Sequence, residues 1–176
     1  MAALIRALTY ASLFMGLVIV FVPARVLEWS GVVRPEIGAV QIVAIAVGVA
    51  GGTLALWCVL TFALVGKGTP APFDPPRRLV VRGPYRFARN PMYLGVGLAL
   101  AGASLFYESP SLAGYAALFL IIVYLFIRVY EEPTLRRTFG EEYEAYCSGV
   151  GRWLPRWSTR TPNEEPNEPP AKRPPA

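Results

Sequence analysis

Apolar residues gather along this chain in long unbroken runs. Residues 37–66 form a stretch of 30 without a charge, and about 20 apolar residues cross a bilayer as a helix. Residues 91–107 add 17 uncharged positions and residues 109–127 add 19. The first run, residues 1–22, is broken only by Arg6, whose apolar stem can reach an interface. Val22-Pro23-Ala24 could pass for a signal-peptide cleavage site, but the run before it is long and its basic start weak. The pattern predicts an all-α, polytopic membrane bundle with about four transmembrane helices, over residues 3–22, 39–65, 91–107 and 110–130.

Beyond the last run the pattern turns polar. Residues 134–140 read as a short helix stopped by Gly140, and residues 141–147 as another with acids in its first turn. Arg152-Trp153-Leu154-Pro155-Arg156-Trp157 has the aromatic and basic composition of an interface anchor. These C-terminal helices are expected on the cytoplasmic membrane surface, over the mouth of the bundle. Residues 1–157 then make one membrane domain. Residues 158–176 carry six prolines, no aromatic residue and no aliphatic one larger than alanine, and are expected to be a disordered tail.

Composition agrees: 54% of the 176 residues are hydrophobic and 16% charged, against about a quarter charged in soluble domains. That excludes an ordinary soluble enzyme and leaves no room for a second sizeable domain. The charge, +5 overall, sorts by connector. Residues 67–90 hold six basic residues against Asp74 alone, and eight more basic residues follow Ile127. Basic connectors stay in the cytoplasm, so both termini are expected there, and the charge is read as topology rather than nucleic-acid binding.

The chain has no histidine. Histidine-liganded metals and Ser-His or Cys-His nucleophiles are thereby excluded. Its two cysteines, Cys58 and Cys147, are far apart and suit packing, so no metal site is expected. Gly48 with Gly52, and Gly95 with Ala99 and Gly102, form small-residue patterns that let helices approach closely.

Two polar places stand out. One is Arg82-Gly83-Pro84-Tyr85-Arg86-Phe87-Ala88-Arg89-Asn90-Pro91-Met92-Tyr93. Asn90 suits an N-cap and Pro91 a first helical position, so a membrane helix is expected to start here. Its N-terminus, flanked by Arg86 and Arg89, would attract an anion, and Tyr85, Phe87 and Tyr93 offer flat apolar surfaces. The same residues would equally make a basic flank with an aromatic belt. The other place is Glu131-Glu132, read as closing the fourth membrane helix, where the helix dipole disfavours acids. Such a pair calls for basic partners, expected in Arg86 and Arg89, or for a cationic ligand; an ion pair serving topology alone would also account for it.

These strings, continued by Leu94-Gly95, by Pro133-Thr134-Leu135 and by Phe139-Gly140-Glu141-Glu142-Tyr143, then Tyr146 and Trp153-Leu154-Pro155, closely resemble the isoprenylcysteine carboxyl methyltransferase-like family, which borders the phospholipid N-methyltransferases. The resemblance covers residues 82–156 and implies an integral membrane methyltransferase using S-adenosylmethionine. It implies a cofactor pocket lined by Tyr85, Arg89, Asn90, Pro91, Tyr93, Gly95, Glu131 and Glu132, with Arg89 and Glu132 as the catalytic residues. Asn90 stands where a histidine is frequent, and it cannot titrate. The implied acceptor is a lipid or lipidated molecule drawn from the membrane. Alternatives are a phospholipid N-methyltransferase, a sterol-reductase-like enzyme using NADPH, and a membrane scaffold without activity.

Overall fold

A computed structural model describes Thr9, Leu13, residues 16–66 and residues 79–155 of the chain. Most of the first expected span, residues 67–78 of the basic connector, Arg156, Trp157 and the proline-rich tail lie outside the described residues. Among the described residues the protein is helical throughout, with one isolated bridge between Ala88 and Gly151. A π-helical turn, Gly16–Phe21, runs into helix α1, Val22–Ser30. The helix therefore continues past residue 22, where the first apolar run stops, and Arg25 and Glu28 pair along its surface at 2.6 Å. It ends at Gly31, whose φ of 61° supplies the left-handed cap.

Helix α2, Ala39–Thr61, and the π turn Phe62–Gly66 after it fill the second expected span. Helix α3, Pro91–Phe106, begins on the expected proline. Helix α4, Pro110–Phe126, starts where Ser109 accepts the Leu112 N–H at 3.3 Å. Two helical stretches are long and apolar enough to cross a membrane, Ala39–Val65 and Pro110–Phe139. Helix α3 has 16 residues, roughly 24 Å at 1.5 Å per residue, which is short of a hydrocarbon layer of about 30 Å. Of the four expected spans, the described residues thus show two helices of spanning length and one shorter apolar helix, and do not establish the count of four.

Small residues set the distance between α2 and α3. A Cβ at Gly51 would stand 2.5 Å from the Ala99 nitrogen and 2.6 Å from the Gly95 carbonyl. One at Gly102 would stand 2.5 Å from the Gly48 nitrogen. Gly48 lies beside Gly102 while Ala55 lies beside Gly95, so the two helices run antiparallel. The seam uses Ala44, Gly48, Gly51 and Ala55. Gly52, expected in it, has nothing within 4 Å. Steps of four, three and four residues keep those four positions on one helix face, whereas position 52 rotates off it.

Val96 and Leu100 of α3 pack with Phe119, Val123 and Ile127 to form the principal core, against which Tyr93 and Trp153 lie. Elsewhere the long helices show apolar side chains outward, among them Ile42, Val43 and Val49 on α2 and Ile121 and Ile122 on α4. That is the arrangement of helices whose solvent is lipid. At the end away from Arg89, buried Gln41 donates to Glu108 at 2.8 Å and accepts from the Gly38 N–H at 3.1 Å.

The fourth span does not stop at the acidic pair. A π-helical turn, Ile127–Glu131, joins α4 directly to helix α5, Glu132–Phe139. Glu131 and Glu132 therefore do not close a helix. They sit at a junction inside one continuous helical rod, with Glu132 the first residue of α5. Gly140, at φ 51°, then turns the chain into helix α6, Glu141–Gly149. Both short helices match the sequence expectation, α5 starting two residues earlier.

Candidate functional site

The site forms where the segment before α3 meets the α4–α5 junction and the chain after α6. Gly83-Pro84-Tyr85-Arg86 makes a single 3₁₀ turn, opened by Gly83 at φ 58°. The following residues pair with the C-terminal segment. The Arg89 N–H donates to the Gly151 carbonyl at 2.9 Å, and the Asn90 N–H to the Arg152 carbonyl at 3.2 Å. The Asn90 side chain donates through Nδ2 to that same carbonyl at 3.2 Å. Asn90 thus occupies the cap position of α3 without capping it through its side chain. Its amide is spent on anchoring residues 151–152, and Pro91 alone fulfils the expected role at the helix start.

The two adjacent carboxylates have different surroundings. Glu132 is buried, and both of its oxygens are engaged. Arg152 grips it with a fork, Nε to Oε1 at 2.8 Å and Nη2 to Oε2 at 2.9 Å. Arg89 Nη1 reaches Oε1 at 3.3 Å. Such bidentate pairing is the strongest geometry open to a guanidinium. Glu131 instead accepts one bond, from the Tyr93 hydroxyl at 3.1 Å, and forms no ion pair among the described residues.

Arg89 has unused capacity. Its Nη1 also donates to Cys147 Sγ at 2.9 Å, while its Nε is buried without a partner among the described residues. An unpaired buried guanidinium donor costs free energy unless an anion completes it. Tyr143 and Tyr146 back this corner. Tyr146 donates to the Tyr85 carbonyl at 2.7 Å, and burial pushes both phenols well above their usual range, so they stay neutral. The bond to Glu132 likewise raises the Arg152 guanidinium further, keeping it charged.

Several expected residues take other places. Tyr85 presents no open aromatic face: its ring is buried beside Cys58 and Val80, and burial raises its hydroxyl well above the ordinary value. Arg86 forms no ion pair with the carboxylates among the described residues; its guanidinium lies 5.9 Å from the centre of the exposed Phe87 ring. Gly95 serves the seam, where a Cβ would meet the Ala55 nitrogen at 2.7 Å. The structure brings together Arg89, Asn90, Pro91, Tyr93, Glu131 and Glu132. It adds Cys147 and Arg152, which sequence reasoning assigned to packing and to an interface anchor. Nothing in the sequence singled out Arg152, because Arg86 and Arg89 already offered two cations for the two acids.

A family model of phospholipid methyltransferases matches residues 40–142, more than half of the chain. The chain belongs to that family. Comparison with curated proteins and with solved structures finds no match. The family match agrees with the resemblance carried by the two motifs and makes this protein a membrane methyltransferase. Within the family-matched stretch lie Arg89, Tyr93, Glu131 and Glu132; Cys147 and Arg152 fall beyond it.

Proposed function

We propose that the protein transfers a methyl group from S-adenosylmethionine to an acceptor carried by the membrane. The observation that supports this best is the unequal pairing of Glu131 and Glu132. Glu132 is paired with two arginines, whereas Glu131 has only a phenol against it. The free carboxylate suits a cationic ligand group, and the unpartnered Arg89 Nε suits an anionic one. The cofactor has both kinds of group, a carboxylate and an α-ammonium, besides the sulfonium whose methyl it supplies. Arg89 would hold the carboxylate, and Glu131 with Tyr93 the cationic part. The N–H groups of Met92 and Tyr93, which precede the first helical bond of α3 from Leu94 to Asn90, add positive potential there.

Methyl transfer is an in-line displacement that needs positioning more than acid–base help. The lack of histidine is therefore no obstacle. A carboxylate acceptor is already deprotonated at neutral pH, and an amine acceptor can pass its proton to the Glu131 carboxylate or to water. The family description favours a phospholipid acceptor, and a lipidated carboxylate is the second reading. The basic residues Arg82, Arg86, Arg89 and Arg128 support a cytoplasmic position for this end of the bundle.

The test supplies purified protein with methyl-labelled S-adenosylmethionine and membrane extract. Label is expected in a base-stable phospholipid headgroup; label released as methanol by base would mark a carboxyl ester instead. No label in any lipid, and no binding of S-adenosylmethionine or S-adenosylhomocysteine at millimolar concentration by a folded protein, would overturn the proposal.

A further inference from the structure

We propose that Arg152 is a positioning residue for the cofactor site, acting through Glu132 and Asn90 on Arg89. This rests on the proposed function and goes beyond it, because it assigns Glu132 to the support of the site instead of to the ligand. The bonds form one connected frame. Arg152 holds Glu132 with two charged hydrogen bonds, and Glu132 holds Arg89 Nη1. The Arg152 carbonyl accepts twice from Asn90, and the neighbouring Gly151 carbonyl accepts from the Arg89 N–H. Residue 89 is thus fixed at its main chain and at the tip of its side chain by residues more than 40 positions later in the chain. Nε is the guanidinium nitrogen this frame leaves buried and unpartnered. Because both Glu132 oxygens are already in charged bonds, direct ligation of a cationic group by Glu132 would have to compete with two arginines.

A lysine at position 152 would keep the charge but could not form the fork. Main-chain bonds from residues 151 and 152 survive any side-chain change there, so the side-chain contribution can be isolated. The experiment is calorimetric titration of the full chain in lipid nanodiscs with S-adenosylhomocysteine. The variants are Arg152→Lys, Arg152→Gln, Glu132→Gln and the double variant Glu132→Gln/Arg152→Gln. Arg136→Gln, whose partner is the exposed Glu144, serves as control. Expected is a dissociation constant raised about ten-fold or more in each single site variant, the loss of charged bonds to Arg89's support, with unchanged stoichiometry. The double variant should be no weaker than Glu132→Gln alone, as befits residues acting in series.

A merely structural role would lower the stoichiometry and leave the dissociation constant of the surviving sites unchanged, which would overturn the proposal. Equal affinity of wild type and Arg152→Lys would overturn it too. Additive losses in the double variant would show that Glu132 meets the ligand itself, and would do the same. Failure of the wild type to bind at all would instead overturn the proposed function.

Discussion

The Tyr93 hydroxyl donates to Glu131 Oε2 at 3.1 Å, tying the first turn of α3 to the last residue of the π turn. That bond holds the carboxylate that no arginine neutralises. Tyr93→Phe removes it without changing the shape of the ring. S-adenosylhomocysteine affinity, read by calorimetry, is expected to fall about ten-fold or more, in line with one hydrogen bond to a charged group.

The adjacent glutamates should differ sharply in what they contribute to stability. Glu132→Gln leaves Arg89 and Arg152 without a counter-charge, and removing one partner of a buried pair is costly. Since the Arg152 side chain is 29% exposed, the expected loss is discounted to about 2 kcal/mol. Glu131→Gln can keep the bond from Tyr93 and removes a carboxylate that no arginine pairs, so its stability should be unchanged or higher. Thermal unfolding of both variants in the same detergent separates them; equal losses would contradict the pairing described.

Gly51 and Gly52 are neighbours in sequence with opposite tolerance. At Gly51 any Cβ meets the backbone of α3, while at Gly52 it meets nothing. Gly51→Val is expected to lower stability by about 3 kcal/mol or more, at the upper end of overpacking costs. Gly52→Val should be neutral or slightly stabilising. Thermal unfolding of the pair measures where the seam lies.

Cys147 is partly exposed and Cys58 fully buried. In the folded protein a polar maleimide is therefore expected to modify one thiol per chain, at Cys147, and two after unfolding, as read by intact mass. Saturating S-adenosylhomocysteine should slow the reaction at Cys147, because the ligand would occupy the guanidinium that this thiol contacts. Labelling of Cys58 in the native state would contradict the packing beside Tyr85.

What the sequence made legible follows from the range of each interaction. The long apolar runs placed α2 and α4 almost to the residue, and the Gly140 stop and the Pro91 start were visible because turn and cap chemistry is local. Arg89 and the acidic pair stood out as charges too costly near lipid to be casual. The hidden parts depend on distant segments. Asn90 looked like a cap, and only the arrival of Arg152, 62 residues later, shows why its amide turns elsewhere. Gly52 fitted a four-residue spacing as well as Gly51 fits the true one, since the rotation of a helix within its bundle is set by its neighbour. The length of α1 was concealed by Arg25 and Glu28, which end an apolar run without ending a helix.

The π turn at Ile127–Glu131 makes the site sensitive to length more than to composition. Such a turn amounts to one extra residue accommodated in an α-helix. Deleting Val129, an exposed residue, would close the turn to α geometry and shift the residues that form it by about one helical position, roughly 100° at 3.6 residues per turn, while the helices on either side keep their places. Glu131 would then lose its surroundings although it had not been touched. Apolar exchanges along the outward face of α4 are free by comparison. In this stretch of chain the reading frame of the helix, counted in whole residues, is itself a component of the site.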